Sequence, residues 1–386
     1  MKKVIIIGAG IAGIAASIRL SKKGYDVSVY ESNSYTGGKL SSFQLGNYRF
    51  DAGPSLFTMP HFVTELFELW HEKPNRTFNY IEKKIICNYF WEDGKKLTAY
   101  ADKKRFIQEV CHTFPISEKK ITYYLTNAQK KYDLTSSLFL ESSLHKFSTF
   151  LSKKTIKAIV GLQKLDLTKS LHKVNERLGE PHMVQFYDRF ATYNGSNPYQ
   201  TPGIMSMIPT LEQHFGTFFP QGGMQSITTA LTNLALSKNV DFHLNQKVDK
   251  IIVENGKAIG IETNKEQHFA DILVSNMDVV PTYRKLLKEQ KAPEKVLAQD
   301  RSSSAIIFYW GIKQSFPELD LHNIFFSNDS KKEFENIFNH KTIDSDPTIY
   351  INISSKEEER DAPENCENWF VMLSLIHISE PTRLGM

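Results

Sequence analysis

The residues whose types and spacing carry chemistry sit near the N-terminus, in Gly8-Ala9-Gly10-Ile11-Ala12-Gly13. This is the G-x-G-x-x-G pattern. Gly8 permits a tight turn, Gly10 lets a pyrophosphate reach the backbone, and Gly13 lets a helix pack close against a sheet. Glu31 follows the third glycine at the spacing from which a carboxylate accepts hydrogen bonds from an adenosine ribose. Beyond it lie Gly37-Gly38-Lys39 and then Gly53-Pro54. A glycine pair shortly past the ribose acid allows a loop to fold back across the pyrophosphate, and Lys39 can add a positive charge there. The same residues would also serve an ordinary glycine-rich turn.

The elements that must position these residues are legible around them. Lys3–Ile7 is a short β-branched run suited to a strand buried on both faces. The glycines open a helix through about Lys23, whose N-terminus offers free N–H groups and a positive dipole end. Val27–Tyr30 forms the second strand and places Glu31 at its end. Together these form a dinucleotide-binding βαβ unit, and the Gly37-Gly38 extension favours FAD over NAD.

Further along, Phe219-Pro220-Gln221-Gly222-Gly223-Met224 places a second glycine pair before a helix. Gly222 and Gly223 would permit close backbone approach of a flavin ring, and would equally permit a helix-starting turn. From Val240 the chain returns to α/β material, with strands read at Val240–Leu244, Val248–Val253, Ala258–Glu262 and Ala270–Ser275. Val248 opens the second of these. Asn276 follows the last at a sheet's carboxyl edge, where open α/β folds bind ligands. Both join the candidate cofactor contacts.

Residues 60–190 read mostly as helix, with a strand-like interruption at Ile85–Trp91. The stretch from Lys103 to about Lys173 carries Tyr123, Tyr124, Phe139, Phe147 and Phe150 among lysines, aromatics better suited to a core than to ligand contacts. Residues 101–180 hold 15 Lys and Arg against 8 Asp and Glu. That excess suits either a solvated face or an anionic membrane surface.

Composition limits the remaining choices. With 386 residues, 41% hydrophobic and 23% charged, the chain has the material of an ordinary globular protein, of two domains or one with an insertion. A net charge of +4 is small for this length and points to no nucleic acid. Three cysteines without a CxxC pair suggest a reducing compartment and no metal site. No run approaches the ~20 apolar residues of a membrane span. The N-terminal apolar run is not read as a signal peptide, since such a region needs no glycines at fixed positions. A cytoplasmic protein is expected.

The sequence resembles the bacterial-type carotenoid desaturases, the phytoene-desaturase group of FAD-dependent, amine-oxidase-like flavoproteins. The resemblance runs from Lys3 to about Met372. It rests on the E-x5-GG-[RK] extension, RFDAGPSLFTMP (Arg49–Pro60), YNGSNPYQTPG (Tyr193–Gly203), FPQGGMQS (Phe219–Ser226), SNMDVVPTYRKLL (Ser275–Leu287), HNIFFS (His322–Ser327) and DPTIYINI (Asp346–Ile353). Lys39 stands where arginine is common, which keeps the charge and loses the planar fork.

The resemblance implies an α/β fold in which a Rossmann-like FAD-binding domain (1–100 and 215–290) carries an inserted, largely helical substrate and membrane lobe (101–214 and 291–372). It implies removal of hydride from a C40 or C30 polyene at the inner face of the membrane, with quinone or oxygen reoxidising the flavin. It assigns no catalytic acid or base. The FAD contacts expected are Gly8, Gly10, Gly13, Glu31, Gly37, Gly38, Lys39, Gly53, Pro54, Gly222, Gly223, Val248 and Asn276. A related amine or porphyrinogen oxidase, or a nucleotide-binding fragment without turnover, remain the alternatives.

The segment Leu373–Met386 fits no part of the family pattern. Its residues through Arg383 read back as codons of a transposase-type sequencing adapter. Residues 373–386 are therefore expected to be foreign to the natural protein, and the chain to lack a C-terminal flavin-contacting segment and to hold FAD poorly.

Overall fold

The structure is a computed structural model and describes residues 1–139, 165–299 and 304–376. The chain divides into two compact units, one of residues 1–81 and 218–301, the other of 82–217 and 302–386.

The first unit is built on a four-stranded parallel sheet. Strand β1 (Lys3–Ile7) lies between Ile272–Ser275 on one side and β2 (Asp26–Tyr30) on the other, and Asp241–His243 adds beyond β2. The unbroken apolar run of β1 is explained by burial on both faces. Val4 and Ile6 pack with Ile14, Ile18, Leu231 and Leu234, from helix α1 (Ile11–Lys22) and the helix Gln225–Ser237. Ile5 and Ile7 turn the other way, onto Tyr30, Val248, Ile251 and Ile261. That second face is covered by an antiparallel meander of Lys250–Glu254, Lys257–Thr263 and Glu266–Phe269. Its first turn is Asn255-Gly256, both with positive φ (50° and 75°), the two-residue hairpin loop whose twist matches its strands.

The second unit carries a six-stranded sheet in the order Ser304–Ile312, Glu367–Ile376, Ile349–Asn352, His322–Phe325, Ile85–Phe90, Lys96–Tyr100. Only the pairing of His322–Phe325 with Ile85–Phe90 is parallel. One sheet face bears Cys87, Tyr89, Leu97, Ala99 and Ile324, and packs on Phe106, Val110, Ile121, Tyr124, Phe186 and Tyr187. Those partners come from the helices Lys103–Thr113, Glu118–Phe139 and Pro181–Asp188. Asp102 starts the first by accepting from the Arg105 N–H at 2.7 Å.

The division differs from the sequence reading mainly at residues 82–100, and also places 215–217 in the second unit and 291–301 in the first. Residues 82–100 fall in the second unit, because Asn88, Tyr89 and Phe90 pair with Asn323, Ile324 and Phe325 in its sheet. That sheet also gives the second unit more strand than a largely helical lobe would have. The helical stretch is broken at Phe114–Ser117, around Pro115. Tyr124 is core, as expected, while Tyr123 is 66% exposed. Phe147 and Phe150 lie outside the described residues, as do the Phe139 side chain and residues 377–386 of the tail. Leu373–Ile376 extend the strand Glu367–Ile376, with Leu373 paired to Ile306 and Ile349.

Candidate functional site

The glycine-rich turn leaves β1 at Gly8, whose φ of 96° only glycine adopts readily. Helix α1 begins at Gly10 without a side-chain cap. Its first N–H groups therefore remain available to an anion. At Gly13 a Cβ would stand 2.2 Å from the Gly8 carbonyl oxygen, so the close packing expected of the third glycine is a steric fact here.

Asn276 braces this turn from the neighbouring strand. Its N–H donates to Ile7 O at 2.9 Å and its Nδ2 to Gly8 O at 3.3 Å. A Cβ on Gly10 would lie 2.9 Å from that same Nδ2. Segments far apart in sequence thus form one wall.

Glu31 stands at the end of β2 and is 7% exposed. Its Oε2 accepts from the Ala9 N–H at 2.8 Å, and its Oε1 from the Asn33 N–H at 2.9 Å and Ser32 Oγ at 3.2 Å. A carboxylate offers about four acceptor positions, so a place remains for a ribose hydroxyl. Val248, placed near Tyr30 in the core beneath, is buried, and its backbone N–H donates to none of the described residues. The strand begins at Lys250, just after the expected start, and this leaves Val248 outside the ladder.

The Gly37-Gly38 loop does fold back. Gly37 N–H donates to Ala9 O at 2.7 Å, and a Cβ on Gly38 would touch Gly10 Cα at 3.4 Å. Lys39 is exposed, with no hydrogen bond or ion pair to the described residues. Its carbonyl oxygen would lie 2.0 Å from a Cβ on Gly53, which fixes glycine there. Pro54 follows as an exposed residue.

Gly222 and Gly223, at φ 85° and 82°, lead into the helix Gln225–Ser237. This helix lacks a cap of its own at Met224. Asp51 supplies one from a distance: Oδ2 accepts from Met224 N–H at 2.9 Å and Oδ1 from Gln225 N–H at 3.1 Å. Arg49 Nη2 holds Asp51 Oδ1 at 2.8 Å. Strand β4 (Tyr48–Asp51), paired with β3 (Ser42–Leu45), delivers both side chains. In the sequence Asp51 stands out only as part of a motif, since nothing local marks a carboxylate as the cap of a helix so far along the chain.

The cradle fits the diphosphate and ribose of a dinucleotide. At Gly10 a side chain would collide with Asn276 Nδ2 and at Gly13 with the Gly8 carbonyl, so glycine keeps the turn tight and the N–H groups at the start of α1 bare. Next to Gly222, the buried Ser226 Oγ has no hydrogen-bond partner among the described residues and is open to a bound polar group. All thirteen candidate contacts lie in the first unit, and Gly8, Gly10, Gly13, Gly37, Gly38, Glu31 and Asn276 converge on one turn. Among the described residues, no group of His, Cys, Asp or Glu is arranged to hold a metal ion.

The model of the family of flavin containing amine oxidoreductases matches residues 11–311. A 1-hydroxycarotenoid 3,4-desaturase from Flavobacterium sp. is 54% identical over 374 residues, which cover 97% of this chain and 76% of that protein. A 4,4'-diaponeurosporene oxygenase from Staphylococcus haemolyticus is 28% identical, over 98% of this chain and 76% of its own. Among solved structures, an oxidoreductase from Methanosarcina mazei superposes with a TM-score of 0.66 at 17% identity, over 96% of this chain and 78% of that one. A putrescine oxidase variant gives 0.62 at 12% identity, over 97% and 75%. These last two speak to the fold alone.

Proposed function

The chain belongs to the family of flavin-containing amine oxidoreductases, and from that premise we propose that it is an FAD-dependent desaturase of carotenoid polyenes. The observation that supports this reading is the return of Gly37-Gly38 onto Ala9-Gly10, beside the uncapped start of α1 where a diphosphate would sit. The 54% identity to a 1-hydroxycarotenoid desaturase supports a polyene as the substrate, and favours a later desaturation step over the first one.

When bound, FAD supplies the two-electron acceptor for loss of hydrogen across a saturated C–C bond. The chain's own residues hold and orient it. The unsatisfied N–H groups at the start of α1 would face the diphosphate, with Lys39 adding charge. Glu31 would take the ribose hydroxyls, and the Val248 N–H would be open to the adenine edge. Gly222 and Gly223, just before the Met224 and Gln225 N–H groups that Asp51 caps, would let the backbone approach the flavin end.

A polyene dissolves in membranes, so a peripheral site at the inner face is part of the proposal, with quinone or oxygen as the final acceptor. Among the described residues no helix is long and apolar enough to cross a membrane. On the helix Glu118–Phe139, Lys119, Lys120 and Lys130 are exposed around Tyr123, a pattern suited to anionic headgroups.

The test is anaerobic. The flavin-loaded protein is mixed with polyenes in lipid vesicles, and the flavin and polyene spectra are followed together. Bleaching of the flavin with a red shift of the polyene is the expected result. Bleaching by an amine with no response to any polyene would overturn the proposal.

A further inference from the structure

A cavity of about 440 Å³ opens within the second unit, lined chiefly by the helix Glu118–Phe139 and by residues 174–178. Its wall carries four cations, Lys120, Lys130, Lys131 and Arg177, and among the described residues one carboxylate, Asp166. The remaining wall is mostly apolar, with Tyr123, Ala128, Leu134, Val174 and Leu178.

The inner end is a finished ion cluster. Lys131 is 4% exposed, and its Nζ meets Asp166 Oδ2 at 2.8 Å, Ser206 Oγ at 2.7 Å and Gly203 O at 3.3 Å. Ser206 donates its own proton to Gly203 O at 2.8 Å, so towards Lys131 it accepts. Three acceptors take all three protons of an ammonium, and Lys131 is therefore charged. Asp166 also accepts from Arg177, Nη2 at 2.6 Å and Nη1 at 3.3 Å. Burial opposes the Asp166 charge, but hydrogen bonds from Arg177 and Lys131 hold its pKa below the ordinary carboxylate value. One carboxylate thus serves two cations, and a positive charge is left over.

The mouth adds more. Lys120 and Lys130 are exposed, with no hydrogen bond or ion pair to the described residues. A Cβ on Gly179 would stand 2.9 Å from Lys120 Nζ, so that amine lies against the end of the turn Glu176–Leu178, which bears Arg177. Tyr123, on the same wall, is 66% exposed. Like charges gathered at one opening repel each other, and a shared anion relieves them. A mostly apolar pocket with a few convergent polar groups is the usual form of a site for an organic ligand.

We propose that this cavity binds one anionic phospholipid, its phosphate among Lys120, Lys130 and Arg177 and the first methylenes of its chains against Tyr123, Leu134 and Val174. The proposal deepens the membrane part of the reading above, from a charged face to a discrete lipid site. Free phosphate would meet the same cations and leave the apolar wall unfilled.

The test titrates the full chain by calorimetry with dihexanoyl phosphatidylglycerol, a soluble lipid, below its micelle concentration. Saturation at one lipid per chain is expected. Lys120→Gln and Lys130→Gln should each weaken binding about 10-fold or more. Lys119→Gln, at an exposed lysine of the same helix outside the cavity wall, should stay within about twofold. Dihexanoyl phosphatidylcholine, whose choline offsets the phosphate, and inorganic phosphate should each bind about 10-fold more weakly or worse. No saturable binding of the phosphatidylglycerol, or an equal effect of all three substitutions, would overturn the site. Inorganic phosphate bound as tightly as the lipid would overturn the lipid in favour of a free anion, and phosphatidylcholine bound as tightly would overturn the role given to charge. Sedimentation with phosphatidylglycerol vesicles tests the membrane reading separately. Co-sedimentation without binding of the monomeric lipid would leave that reading standing and remove the site, and the opposite pair of results would do the reverse.

Discussion

Asp51→Ala tests whether a remote carboxylate seats the second glycine loop. The substitution removes acceptors for the Met224 and Gln225 N–H groups and for Arg49 Nη2, at 2.9, 3.1 and 2.8 Å. Loss of a helix cap costs about 1 kcal/mol, up to about 2. The Asp51 side chain is only 9% exposed and Arg49 20%, so loss of this charge-assisted hydrogen bond adds about 1–2 kcal/mol more. The sum is about 2–4 kcal/mol, felt at Gly222-Gly223. Asp51→Asn keeps an acceptor oxygen and loses the charge, and should cost about half as much. Thermal release of flavin, followed by its fluorescence, should come several degrees earlier in Asp51→Ala, with Asp51→Asn between it and wild type. Circular dichroism of the flavin-free protein should follow the same order. An unchanged release midpoint in Asp51→Ala would refute the capping argument, and an asparagine variant as damaged as the alanine one would refute its split between shape and charge.

Three further outcomes follow from geometry already given. Gly13→Ala places a Cβ 2.2 Å from Gly8 O, a backbone atom that cannot swing aside. It should cost about 1–3 kcal/mol or more and lower the thermal unfolding midpoint of the flavin-free protein, and an unchanged midpoint would count against the packing role. His172 is hydrogen-bonded through Nδ1 to Asp188 Oδ2 at 2.6 Å, and this holds its pKa above the usual 6.5. The stabilisation is therefore fully present below pH 6.5 and lost as pH rises through the raised value. The unfolding midpoint should fall across that window, and the fall should be absent in His172→Gln. Burial pushes the Cys87 thiol up to about 12, whereas Cys111 and Cys366 are partly exposed. A disulfide reagent at about pH 8 should titrate two thiols in the folded protein and the third only after denaturation.

The βαβ unit is legible in the sequence because its signals are local. A buried strand, three glycines each with a distinct steric need, and an acid at the next strand's end all fall between Lys3 and Glu31. The Asn255-Gly256 hairpin is legible for the same reason. The place of residues 82–100 is not, because strand Ile85–Phe90 is defined by its pairing with His322–Phe325, in a distant part of the chain. Nor is the part played by Asp51, whose carboxylate caps a helix that carries no cap signal of its own. The motif YNGSNPYQTPG reads as a turn cluster and is one: Pro198 O and Thr201 O accept from the His172 and Leu171 N–H groups. It thereby anchors the start of the helix from which His172 reaches Asp188.

The brace that Asn276 gives to Gly8 has a consequence for biosynthesis. The strand before it pairs Ile272 with Val4, and Asn276 follows Gly8 by 268 residues, so β1 stays without one neighbour until nearly all of that length has been made. At about 5–20 residues per second, that interval is on the order of 13–54 s. Throughout it the nascent chain carries the complete glycine fingerprint and no finished cradle, with the outer edge of β1 unpaired and that of β2 unpaired until Asp241–His243 is made. Contacts of such sequence separation form slowly even in a free chain. The outer edge of β1 is thus the last side of this sheet to find its partner as the chain is made.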